Sequence, residues 1–262
     1  MRAEDFTGAA RRLDGAAATL RASAGEVVNF YGDLHDRLPR VRSWLGRLAD
    51  DPALLGLGVP PVDTLLFAQA WHLAFAPDLT GPSFPAGTER AEAGWRVAEP
   101  AFWFGDVQVP GGLELGAPLI VLGSLQVDGL LDDGDVSCSH LAVAGDVRAR
   151  AIASAADHFA VGSVSAAVIA CFTNDGTLIV GRDIIADLFA PAEHAWMCNG
   201  TLRARAIGDA EHPRIFAGQL APWLPADYVD PAEEDEPVDI WRILEEAAAE
   251  RSPVLDGPRP AT

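Results

Sequence analysis

Short apolar runs, each followed by a glycine, return at a steady interval through the second half of the chain. They read Leu-Ile-Val-Leu-Gly-Ser-Leu at 119–125, Leu-Ala-Val-Ala-Gly-Asp-Val at 141–147, Phe-Ala-Val-Gly-Ser-Val at 159–164 and Leu-Ile-Val-Gly-Arg-Asp-Ile at 178–184. Polar pairs keep a beat of about 18 residues, Ser139-His140, Asp157-His158, Asp175-Gly176, Glu193-His194 and Glu211-His212, and a constant period of this kind is the mark of a solenoid. Leu125, Val143, Val161, Ile179, Met197 and Ile215 share that register, the last five lying three places after a pair's second member.

A repeat of this length without a helical 3.6 pattern closes as short strands joined by corners. Each coil then lies on the next at about 4.8 Å, so residues one period apart become vertical neighbours. The apolar column is expected as a ladder inside the coil, and the acid/His column as a corner. Gly123, Gly145, Gly162, Gly181 and Gly200 return just after the apolar strands, where they are expected to supply corners with φ > 0.

The first hundred residues have a different texture. Val41, Trp44, Leu45 and Leu48 fall on one helical face behind Pro39, and a second helix is predicted from Asp63 through Leu65–Phe75 to Pro77. Residues 4–22 and 26–37 are also helix-permissive. The Gly/Pro-rich stretch 78–100 marks a transition, with Trp95 and Trp103 placed where a large ring could seal the first coil. After an acidic run at 230–236, a helix is predicted over 237–251, with Ile240, Trp241, Leu244, Ala247 and Ala248 as its apolar stripe and the solenoid's open end or a partner as its dock. The tail after Ser252 is expected to be disordered. The fold class is therefore mainly β: a β-solenoid of about 18 residues per turn, preceded by a small helical domain and followed by a C-terminal helix. The segments are 1–100 as a helical cap, 101–216 as the solenoid, and 217–262 as acidic linker, docking helix and tail.

Charge narrows the partners. A net charge of −19 repels phosphate backbones and anionic lipid, and no basic cluster with interleaved aromatics offsets it, so nucleic acid and membrane are not expected. The apolar run Leu65–Phe75 is too short to span a bilayer, and Glu4 and Asp5 fall where a signal peptide would need basic and then apolar residues, so a cytoplasmic location is expected. Three cysteines, Cys138, Cys171 and Cys198, cannot all pair within one chain and lack metal-site spacing; they read as buried thiols.

The sharpest candidate site is the column His140, Asp157, His158, Asp175, Glu193, His194, Glu211 and His212. Side chains one coil apart can share a divalent ion, and a carboxylate beside an imidazole can move protons. The same residues suit a solvated corner, or an acidic edge that deters lateral sheet pairing. Whether a metal binds is left open, and no cofactor is implied. Asp132-Asp133-Gly134-Asp135 starts like a calcium loop but has Ser137 and Val143 where that motif needs Gly and Glu, so it reads as a turn. Phosphate loops, dinucleotide fingerprints and nucleophile elbows do not occur.

Leu-Ala-Val-Ala-Gly-Asp-Val-Arg-Ala-Arg-Ala-Ile (141–152) and Leu-Ile-Val-Gly-Arg-Asp-Ile-Ile-Ala-Asp-Leu-Phe (178–189) resemble the bactofilin-type, polymer-forming β-solenoids in their Val-x-Gly-Asp beat and turn length, over about residues 105–216. The resemblance implies a right-handed β-helix and a non-enzymatic scaffold that associates end to end; it carries over no functional residue. The expected function is a non-enzymatic cytosolic scaffold or adaptor that binds a protein partner or itself. The alternatives are a carbohydrate-active β-helix enzyme, which would need paired carboxylates on a concave face, and an acidic neutraliser of a basic partner. A left-handed hexapeptide coil fits Leu119, Leu125 and Leu131 but fails at Ser137.

Overall fold

The computed structural model describes residues 84–99, 101–133, 140–172, 176–191, 194–209, 212–230, 233 and 237–258, together with Pro39, Ser43, Gly46, Arg47 and Asp50, whose backbone is helical. The apolar faces expected on the N-terminal helices, and Cys138, lie outside the described residues.

The described chain begins with a hairpin, β1 (Thr88–Ala91) and β2 (Gly94–Val97), and then winds. The first full coil holds β3 (Ala101–Phe104), β4 (Val107–Val109) and β5 (Gly112–Leu115); the second holds β6 (Leu119–Leu122) and β7 (Leu125–Asp132). The third holds β8 (His140–Val143) and β9 (Val147–Ser154), and the fourth β10 (Asp157–Ala160), β11 (Val164–Ser165) and β12 (Val168–Cys171). β13 (Thr177–Val180) and β14 (Ile184–Ala190) form the fifth, and β15 (Ala195–Cys198) and β16 (Leu202–Ile207) the sixth. The result is a β-solenoid of about 6 turns. β3, β6, β8, β10, β13 and β15 make a narrow sheet, the other strands a wide one, and every pairing between coils is parallel.

The period is not constant. Along the corner that follows the narrow sheet, Asp106, Ser124, Asp146, Ser163, Asp183 and Thr201 stand over one another at spacings of 18, 22, 17, 20 and 18 residues. The two long coils take their extra residues at the opposite corner, between Asp132 and His140 and between Cys171 and Thr177. Sheet register is set by inward side chains, and the strands on either side of these insertions remain paired, with one register shift between β7 and β9 at Val127/Leu130.

The predicted apolar column therefore breaks. The inner ladder of the narrow sheet is Trp103, Val121, Val143, Ala160 and Val180, all buried. Val161 is displaced from it by Ala160, Leu125 belongs to the wide sheet over Val147, and Ile215 is on a helix and 58% exposed. Ile179 and Met197 do stack, but on the outer side of the sheet. Ile120, Ala142, Phe159 and Ile179 on that side are buried too, so the narrow sheet is apolar on both faces, as parallel sheets are.

Five corner glycines serve a purpose other than the expected one, because none of Gly123, Gly145, Gly162, Gly181 and Gly200 has positive φ. A Cβ at Gly123 would lie 2.2 Å from the carbonyl oxygen of Gly105, and one at Gly181 2.2 Å from that of Val161. Stacked corners bring backbone onto backbone, and only a hydrogen fits between them. At Gly105 φ is +76° with open space around it, so there the conformation itself requires glycine.

After β16 the chain leaves the solenoid, earlier than the predicted boundary near Phe216. It forms α1 (Pro213–Leu220), a 3-10 turn (Ala226–Tyr228) and α2 (Ile240–Ala248), capped by Asp239, whose carboxylate accepts from Arg242 N–H at 3.1 Å. α2 lies on the flank of the wide sheet, against β7, β9 and β12, rather than on the open end. Ala151, Ala153, Ala170 and Ala190 keep that flank low, and Leu220, Leu224, Ile243, Leu244 and Ala247 fill against it. The tail follows: Val254 is buried and Leu255 N–H donates to Trp223 O at 2.8 Å, so the part described, through residue 258, packs on the fold instead of hanging free. At the other boundary, β1 and β2 fall inside the expected linker.

The two ends differ. At the first, Phe84 meets Trp95 and Trp103 edge-on, with centroids at 4.9 and 5.4 Å, and the buried Trp103 donates from Nε1 to Ala86 O at 2.8 Å. The rings of Trp95 and Trp103 thus pack on the interior of the first coil, while among the described residues no strand pairs with the outer edges of β1, β3 or β4. At the last coil, among the described residues, no strand pairs with the outer edge of β15 or β16. Trp196 lies edge-on to the core residue Phe189 yet is 38% exposed, and Cys198, Leu202 and Ala204 are half-buried where Val180, Ile184 and Ala186 below them are buried.

Candidate functional site

Of the predicted acid/His residues, His140, Asp157, His158 and His194 lie at the corner that leads into the narrow sheet, but they do not form one column. His140 and Asp157 are direct neighbours on adjacent strands; His158 is one residue on, over Leu141 and under Leu178 in the inner apolar ladder. His194 precedes β15 and sits over Gly176, and His212 caps α1, its Nδ1 accepting from Arg214 N–H at 3.3 Å. Asp175, Glu193 and Glu211 lie outside the described residues. The coils of 17 and 20 residues account for the shifts of His158 and His194 by one or two places, and His212 lies beyond the last strand on α1.

The corner instead has a centre that the periodicity does not reveal. Asp133, at the end of β7 and fully buried, points its carboxylate into the turn of the coil above. It accepts from Ala155 N–H at 2.6 Å, from Ala156 N–H at 2.9 Å and from Ser154 Oγ at 3.0 Å. His158 Nε2 lies 2.9 Å from its Oδ2, with the ring N–H off the direct line, so this contact is electrostatic more than a well-aligned hydrogen bond. Burial alone would push the Asp133 carboxyl up. His158 and the two backbone N–H groups outweigh that and hold it below the ordinary carboxylate range.

Cys171 pairs across the strands with Ser154, and burial, helped by nearby Asp133, raises its thiol well above the usual range; a protonated, enclosed sulfur is a poor nucleophile. Burial lowers His140 to about 4. Burial also raises Asp157, against the hydrogen bonds it accepts from Thr177. Among the described residues no group of three or more His, Cys, Asp or Glu side chains could hold a metal ion. The Asp133 carboxylate is engaged by four groups at once, and its chemistry is that of a clasp: it ties the end of β7 to the turn of the next coil.

A second polar ladder runs along the glycine corner. Asp106 Oδ1 accepts from Ser124 N–H at 2.8 Å, Asp146 Oδ1 from Ser163 N–H at 2.9 Å and Asp183 Oδ1 from Thr201 N–H at 2.8 Å. Each carboxylate serves the coil above it, and Ser124 Oγ returns the contact by accepting from Asp146 N–H at 3.3 Å. The Gly-Asp and Gly-Ser dipeptides carried this signal in the sequence.

The remaining candidate surface is the last coil, with Trp196 across its interior and two strand edges beside it. Among the described residues, no helix is long and apolar enough to cross a membrane. The chain matches no family model, curated protein or solved structure.

Proposed function

We propose that this protein is a non-enzymatic β-solenoid scaffold that docks a protein partner on its last coil. The observation that carries the reading is the difference between the interiors of the two end coils: Phe84, Trp95 and Trp103 pack together on the first, whereas Trp196 leaves the last part-covered beside the edges of β15 and β16. A free edge offers main-chain hydrogen bonds, and an apolar interior between two edges offers area; together they are the elements of strand addition.

The coil is read as right-handed, since parallel strands joined by crossover connections take that hand in nearly all sheets. The likeness to polymer-forming solenoids is read as one of architecture. Free thiols at Cys171 and Cys198 suit a reducing, cytoplasmic setting.

Affinity capture with the tagged full chain, from an extract of the cells that make it, tests the reading at low and high salt. A partner, whether another protein or an untagged copy of the chain, that is held at both salts and released by Trp196→Glu supports it. A partner lost at high salt but indifferent to Trp196→Glu moves binding to the acidic surface and overturns it, as does the absence of any partner.

A further inference from the structure

We infer that α2 carries a second docking surface, on which the stacked rings of Trp241 and Phe172 receive an arginine-bearing segment of another protein. This surface lies on the flank of the wide sheet, where α2 packs against β7, β9 and β12, and is separate from the last coil.

The apolar stripe of α2 does not dock whole. Leu244 and Ala247 are buried against the wide sheet together with Ile243, whereas Trp241 stays out of that contact and is 49% exposed. Its ring is stacked on Phe172, the residue that follows β12 and is itself 37% exposed, with centroids 4.8 Å apart and planes within 4° of parallel. The backbone at Phe172 is fixed, its N–H donating to Ser154 O at 2.9 Å. Stacking occupies one face of each ring, and the exposure that remains is aromatic surface turned to solvent.

Charge selects the occupant. The segment 230–246 holds eight acids and one base, Arg242. That base is engaged within the fold: its Nη2 lies 2.7 Å from the Asp227 carboxylate and its Nε 3.6 Å from that of Glu246, with the guanidinium over the Tyr228 ring at 4.4 Å from the centroid. Asp239 and Glu245, two places before and four places after Trp241, are exposed carboxylates, and Glu245 shares the solvent side of the helix with the ring as its i,i+4 neighbour. A neutral apolar partner would strip water from these carboxylates without replacing it, and an acidic one would be repelled. A cation meets both the carboxylates and the negative face of the indole.

The chain's own aromatic contacts point to arginine. Arg90 lies over Trp95 at 3.9 Å from the centroid, and Arg242 covers Tyr228 in the same way. Among the described residues no cation stands over Trp241, the most exposed of these three rings. A guanidinium is planar, so it lies flat on a ring while its N–H groups reach carboxylates at the side; an ammonium is more strongly hydrated and does neither as well.

Fluorescence anisotropy of labelled oligoarginine, oligolysine and oligoglutamate peptides of equal length, mixed with the full chain, tests this. Oligoarginine should bind, oligolysine should bind several-fold more weakly, and oligoglutamate should not bind. Trp241→Ala and Glu245→Gln should each weaken oligoarginine by about threefold or more, whereas Glu89→Gln, which removes the same charge from an exposed position on β1, should not. In the unaltered chain the indole N–H resonance of Trp241, identified by its loss in Trp241→Phe, should shift as oligoarginine is added, a reading that does not rely on the folding of Trp241→Ala. Absence of oligoarginine binding overturns the inference, as does equal binding of oligolysine, equal weakening by Glu89→Gln and Glu245→Gln, or a Trp241 resonance that stays in place. A partner at this surface is additional to the one on the last coil. Capture that yields only a basic protein, lost at high salt and released by Trp241→Ala, overturns the scaffold reading and leaves this inference standing.

Discussion

The imidazole of His194 lies over Gly176 one coil below, so closely that a Cβ on Gly176 would come within 1.9 Å of its Cε1. The ring is buried, and the missing side chain below is what makes room for it. Gly176→Ala is expected to drive the ring out and to lower stability by about 1–3 kcal/mol, the cost of overfilling a packed site. With His194→Ala already present the same change should cost much less. Urea unfolding of the four proteins in the cycle gives the coupling; strictly additive losses would show that the two positions do not compete for one space.

Asp133 predicts a larger effect. Removing a carboxylate that serves two backbone N–H groups, a hydroxyl and an imidazole leaves all of them buried without it, so Asp133→Ala is expected to cost about 3–5 kcal/mol. Because this carboxyl is held below its ordinary range, its contribution is complete above that range and disappears as the pH falls through the lowered value. Ser154→Ala removes one contact of the four and should cost about 1 kcal/mol, measured in the same unfolding experiment.

Much of the architecture was legible because stacked strands force like onto like. The runs at 119–125, 141–147 and 178–184 became strands followed by glycine corners, and the junction tryptophans packed on the interior of the first coil. What failed was the assumption of a fixed step. A histidine recurring every 18 residues suggests one column only if every coil has that length, and corner insertions are invisible to a period drawn through polar pairs. His158 shows the result: a residue expected at a solvated corner lies 4% exposed between Leu141 and Leu178, its Nε2 2.9 Å from the Asp133 carboxylate. Asp133 itself stood in a turn-like Asp-Asp-Gly-Asp string, which announces a loop and not the burial of one member. Strand length and composition also left the last coil's exposure unreadable, since Trp196 continues the inner ladder and differs from Leu178 only in having nothing paired above its strand among the described residues.

The corner glycines separate two physical reasons for the same residue. At Gly162 a Cβ would meet Asp146 Oδ1 at 2.2 Å and Gly145 O at 2.6 Å, and that carboxylate is already fixed by Ser163 N–H. Gly162→Ala and Gly162→Asn should both be strongly destabilising, by about 2–4 kcal/mol, because backbone must move. At Gly105 nothing stands nearby, and only the positive φ matters. Gly105→Ala should cost about 1 kcal/mol and Gly105→Asn clearly less, since Asn enters the left-handed region more readily. Thermal or urea midpoints of the four variants decide it; an Asn that rescues position 162 would refute the close-approach account.

Acid should weaken the fold through His140 before it acts on the carboxylates. Burial holds this imidazole at about 4, against 6.5 for the free side chain, so between those values the unfolded chain takes a proton that the folded one declines. The contribution of the neutral ring is thus complete above 6.5 and is lost as the pH falls toward 4, by at most about 3 kcal/mol. Asp157, directly beside it on the next strand, works the other way: its carboxyl is raised by burial, so the folded chain gains a proton first and recovers some stability in the lower part of the range. The cleanest reading is therefore the upper part, between neutrality and about pH 5. Urea midpoints at those two pH values should fall for the native chain and fall distinctly less for His140→Gln, which keeps a polar group of similar reach but cannot take the proton. Parallel losses in both proteins would assign the acid sensitivity to another group.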